Sequence, residues 1–134
     1  MKKAIALLLA LAWMVGLTAC GGVVKGVQIT ECSSEIYTQQ DIEQAIDEAI
    51  RYFRSEFDGC TLLEIGYAGD DKQGGWQNVA QRHGADQVIV LVSKFDVDGS
   101  GRCQGLNPNS TYTGWNWLLV RNEGGAWRHA DHGY

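Results

Sequence analysis

The residues whose types and spacing can do chemistry fall into a few groups. The first is His129-Ala130-Asp131-His132, close to the end of the 134-residue chain. In an extended strand alternate side chains share a face, so His129 and Asp131 are expected to stand together, with His132 on the other side. A carboxylate beside an imidazole is the raw material of a general acid–base pair. The second is Asp96-Val97-Asp98-Gly99-Ser100-Gly101. It has the oxygens at positions one, three and five and the glycine at six of a calcium loop. Its twelfth position is Asn107 rather than the required glutamate, so no metal site is expected. A zinc site is not expected either: no Cys-x-x-Cys occurs, and the only other histidine is His83. Ser93 and Ser110 have no neighbouring base, and no glycine-rich phosphate cradle opens a helix. No cofactor is expected.

The cysteines Cys32, Cys60 and Cys103 form the third group. Cys60 opens an apolar run, where a thiol serves as a small buried hydrophobe. Cys32 and Cys103 lie among loop residues, which favours them as the candidate disulfide if the protein is exported.

Export is what the first residues predict. Lys2 and Lys3 precede an uncharged stretch from Ala4 to Gly16, and Leu17-Thr18-Ala19-Cys20 follows. A basic start, a short apolar run and small residues describe a secretory signal rather than a membrane span. Leu-Thr-Ala-Cys resembles the lipobox of bacterial lipoproteins. That resemblance implies a signal peptide over residues 1–19 and a lipid anchor on Cys20, with the protein at the cell membrane, on its extracytoplasmic face. Removing the signal leaves nine basic against sixteen acidic residues, a net charge of −7. Such a charge argues against nucleic acid as a partner. The expected partners are the membrane, through the anchor, and a protein or small molecule.

The elements that must position these groups read as follows. Residues 20–36, loosened by Gly21, Gly22 and Gly26, are expected to be a flexible tether. Residues 37–134 are expected to form a single α+β domain. Thr38 is a good N-cap, and Ile42, Ile46, Ala49, Ile50, Phe53 and Phe57 recur at helical intervals. Cys60 to Tyr67 reads as a strand, and Trp76 to His83 as a short helix. Val88 to Val92 is an unbroken apolar run, the mark of a strand buried on both faces. Tyr112 to Arg121 and Ala126 to His132 make the closing hairpin across Asn122-Glu123-Gly124-Gly125. The expected architecture is a long N-terminal helix and a short helix together on one face of a curved, mainly antiparallel four-stranded sheet.

Four stretches carry a further resemblance: Phe57-Asp58-Gly59-Cys60-Thr61-Leu62, Leu106-Asn107-Pro108-Asn109-Ser110-Thr111-Tyr112, Trp115-Asn116-Trp117-Leu118-Leu119-Val120-Arg121 and Asp131-His132-Gly133-Tyr134. Residues 37–134 resemble a family of bacterial lipoproteins with a domain of unknown function and a nuclear transport factor 2-like fold, related to the cystatin-like fold. The resemblance implies a fold and a location and brings no catalytic residue. The sequence therefore leads to a lipid-anchored, non-catalytic binding or interaction module. The alternative is a small hydrolase, isomerase or dehydratase using His129 and Asp131.

Overall fold

The computed structural model describes residues 21–103 and 105–134. The expected signal peptide and Cys20 lie outside the described residues. Among the described residues, five strands and two α-helices follow in the order β1 (Gln28–Thr30), α1 (Gln39–Glu56), β2 (Cys60–Tyr67), α2 (Gln77–Arg82), β3 (Gln87–Val97), β4 (Ser110–Arg121) and β5 (Arg128–Gly133). The strands form one sheet in sequence order, β1-β2-β3-β4-β5. β1 runs parallel to β2; the other neighbours are antiparallel.

Two expectations are corrected here. The sheet is mixed and five-stranded, not the mainly antiparallel four-stranded one expected, because the segment expected to be a flexible tether supplies β1. Val23 bridges to Thr61, and Gly22 donates its N–H to Arg54 O at 3.0 Å, so this stretch is tied to the domain by backbone hydrogen bonds. Gly66 permits the approach: a Cβ there would stand 1.8 Å from Thr30 Oγ1.

The second correction concerns the helices, which cover opposite faces of the sheet. Ile42, Ala45, Ile46, Ala49 and Phe53 of α1 pack with Ile65, Ile89, Leu91, Phe95, Trp117 and Leu119. Val79 and Ala80 of α2 pack with Val88, Val90, Leu118 and Val120 on the other side. The reason is the alternation along β3. Ile89 and Leu91 face α1 while Val88 and Val90 face α2, so each face needs its own cover.

Helix α1 begins with a capping box. Thr38 Oγ1 accepts from the Asp41 N–H, and Asp41 Oδ2 accepts from the Thr38 N–H, both at 3.1 Å. Beyond β2 the Gln73 side chain takes the place of a strand. Its Oε1 accepts from Val90 N at 2.8 Å, and its Nε2 donates to Val90 O at 3.2 Å. The next helix, α2, is short and is held by its apolar contacts.

Candidate functional site: an aromatic cleft at the end of helix α1

The last turn of α1 brings Tyr52, Glu56 and Phe57 to the end of the sheet where β4 presents Trp115 and β5 presents His132. The loop between β3 and β4 adds Cys103, Gly105 and Leu106 and completes a cleft of about 240 Å³. The loop is pinned by Tyr112, whose hydroxyl accepts from Asn107 N at 3.0 Å and whose ring stacks on Phe95 with centroids 5.3 Å apart. Trp115 lies between Phe57, Phe95, Tyr112 and Tyr134. Its Nε1 is buried and has no hydrogen-bond partner among the described residues.

Alternation along β5 is broken by a bulge. Leu118 is paired with Asp131 and Leu119 with His129, so Ala130 is an extra residue between them. The bulge turns His132 to the same face as His129, against α1, and leaves Asp131 opposite Leu118 on the far face. The expectation that His129 and Asp131 share a face is thereby reversed. His129 stacks on Tyr52 with centroids 3.6 Å apart and planes 9° from parallel. Its Nε2 lies 2.9 Å from His132 Nδ1. The carboxylate of Asp131 accepts from the backbone N–H of His132 at 2.8 Å instead of orienting an imidazole.

One proton serves the hydrogen bond between the two rings, so the pair is suited to two neutral imidazoles. Burial pushes His129 down to about 4, and the neighbouring His132 adds to the shift. Burial also lowers His132. A base so weak is poorly matched to proton transfer near neutral pH. The pair instead offers flat, neutral, hydrogen-bonding walls.

The other sequence candidates are dispersed. Asp96 accepts from Thr111 Oγ1 at 2.5 Å. Asp98 accepts from Ser100 N at 3.0 Å and pairs with Arg102 at 3.2 Å, so the protein itself occupies both carboxylates of the calcium-like loop. Ser93 is buried and receives Trp117 Nε1 at 2.7 Å. Cys32 lies beside Gln39 and Glu43 at the start of α1, whereas Cys103 lies beside Glu56 and Phe57 at its end. An 18-residue helix separates the two ends by roughly 25 Å. The expected disulfide between Cys32 and Cys103 is therefore corrected: the helix holds the two thiols far beyond bonding reach of one another. Tyr52 was the residue the helical stripe did not reveal. It flanks that stripe, and its place beside Phe57, Trp117, His132 and the stacked His129 shows what it faces.

Comparison of the chain with models of known families, with curated proteins and with solved structures finds no match.

Proposed function

We propose that this chain is a non-catalytic binding module, exported and held at the extracytoplasmic face of the cell membrane by a lipid on Cys20. Its cleft takes a small planar cation, such as a guanidinium group. The observation that carries the reading is the make-up of the walls. Tyr52, Phe57, Trp115 and His132 supply ring surfaces and Glu56 supplies a carboxylate. Aromatic faces attract cations, and the chain's acidic balance favours the same charge. A volume of about 240 Å³ suits a side chain or a fragment rather than a larger ligand. The acid–base alternative has little to draw on, since Asp131 faces away from His129 and the imidazole is a weak base.

The test is a titration of the full chain in detergent with arginine methyl ester, followed by NMR. The indole of Trp115 and the ring of His132 should shift together, and Glu56→Gln should weaken binding about fivefold. Absence of a shift at either ring, or a small-substrate turnover that disappears in His129→Ala, overturns the binding reading. The anchor is tested separately: Cys20→Ala should move the protein out of the membrane fraction.

A further inference from the structure

Cys60 and Cys103 are 43 positions apart in sequence, yet the loop after β3 folds back to bring their thiols, both unlinked in the structure, within hydrogen-bonding reach. Asp98 N donates to Gly59 O at 2.9 Å, continuing the β2–β3 ladder past the end of both strands. Arg102 then reaches across to Asp58 at 3.3 Å while holding Asp98 at 3.2 Å. Gly59 is required for this approach. Its φ is +82°, and a Cβ there would lie 3.0 Å from Asp98 Oδ1 and 3.3 Å from Ser100 Oγ. The residue after Arg102 is Cys103. It packs on the same apolar cluster in which Cys60 is buried, and it also forms part of the cleft wall.

We propose that Cys60 and Cys103 form a disulfide that fastens the β3–β4 loop to the start of β2 and fixes the wall of the cleft. Cys103 is the half-buried partner that lines the cleft, so it reacts first. Its thiolate attacks a low-molecular-weight or protein disulfide, RSSR, forming a mixed disulfide and releasing one RS⁻. The Cys60 thiolate then attacks the Cys103 sulfur and releases the second RS⁻. The two thiol protons end on the two released thiolates, so Cys60 and Cys103 are oxidised by two electrons while RSSR is reduced to two RSH. Cys60 needs a tethered partner. Burial above all, then its hydrogen bond with Cys103, pushes its thiol up to about 12, so it would be a poor nucleophile toward a free oxidant. The mixed disulfide on Cys103 supplies that proximity. The inference does not depend on what the cleft binds.

The experiment uses the full chain in detergent, treated with glutathione disulfide, alkylated and digested with trypsin without reduction. The expected product is the peptide of residues 55–72 linked to that of residues 103–121. Closing a loop of this length should raise the Tm by about 10 °C over the reduced protein. Cys32→Ser should keep that gain, and Cys103→Ser should lose it while melting near the reduced wild-type chain. A linkage of Cys103 to the peptide of residues 26–51, which carries Cys32, overturns the proposal. So does the absence of any linked species, or a thermal gain that survives in Cys103→Ser.

Discussion

The two ends of helix α1 are built from the same materials, aromatic rings beside polar groups, and handle them in opposite ways. At the N-terminal end the polar groups are matched to one another. Arg121, only 8% exposed, donates to Asp41 Oδ1 at 2.9 Å and to Gln87 Oε1 at 2.7 Å, with its guanidinium 4.1 Å from the Trp127 ring centroid. Trp127 Nε1 donates to Asp41 O at 3.0 Å, and the Tyr37 hydroxyl reaches Val88 O at 2.5 Å. At the C-terminal end two imidazoles share a single hydrogen bond, an indole N–H has no partner among the described residues, and a cleft opens beside them. An aromatic cluster with satisfied polar tips is a clasp. One whose tips are left over is a candidate for recognition.

The strongest way to break this comparison is to remove the clasp. Arg121→Ala leaves the Asp41 carboxylate without its cation and opens a void over Trp127. The expected cost is about 3 kcal/mol in urea unfolding, within the range for removing one partner of a largely buried pair. Asp41 is itself partly exposed, which keeps the cost at the lower end of that range. A cost below about 1 kcal/mol would mean that the N-terminal end is no better fastened than a surface ion pair.

Acid separates the two ends by pH. The fold lowers His129 to about 4 and also lowers His132, so it favours their neutral forms. Their contribution is complete above the unfolded value of about 6.5 and is lost as pH falls from there towards 4, because the unfolded chain binds the protons first. With partial exposure discounted, the expected loss is about 1–2 kcal/mol over that window. Asp41 behaves in the opposite sense. Its hydrogen bond from Arg121 holds its carboxyl below the ordinary 3.8, so its contribution is lost only as pH falls further. Urea midpoints measured between pH 7.5 and 5 should therefore report the histidine pair far more than Asp41. His129→Phe, which keeps a ring on Tyr52 without the proton site, should remove at least half of that slope. An unchanged slope would break the picture of a neutral imidazole pair.

These two ends were unequally legible in the sequence. The helix stripe, the N-cap at Thr38 and the alternation Trp115, Trp117, Leu119 against Leu118, Val120 are all periodic signals, and the structure uses each of them. The third strand even implied that both faces of the sheet needed cover, although the placement of both helices on one face did not follow that through. What was not legible has no period. β1 is three exposed residues joined by main-chain hydrogen bonds, so no hydrophobic pattern announces it. The bulge at Ala130 inverts the face of His132 and is invisible to strict alternation. Arg121 and Asp41 are 80 positions apart, and Cys60 and Cys103 approach each other only through the path of a loop.

The smallest expected effect tests the comparison most directly, because it makes the same change at two adjacent sites on β4. Trp117 and Trp115 both project towards α1. Trp117 Nε1 donates to Ser93 Oγ at 2.7 Å, and Ser93 Oγ donates onward to the Trp115 carbonyl at 3.2 Å. Trp115 Nε1 has no such outlet among the described residues. Trp→Phe removes the same atoms at each position, so the loss of ring volume is similar. At Trp117 the change also breaks a buried hydrogen bond, for a total of about 2 kcal/mol. At Trp115 it removes a donor that has no acceptor among the described residues, which offsets the lost packing, and the net change should stay below about 1 kcal/mol. The difference between the two variants in urea unfolding is thus a direct reading of the leftover N–H. Equal costs would mean that the Trp115 indole is as well satisfied as its neighbour, and the contrast between a closed clasp and an open recognition end would lose its clearest mark.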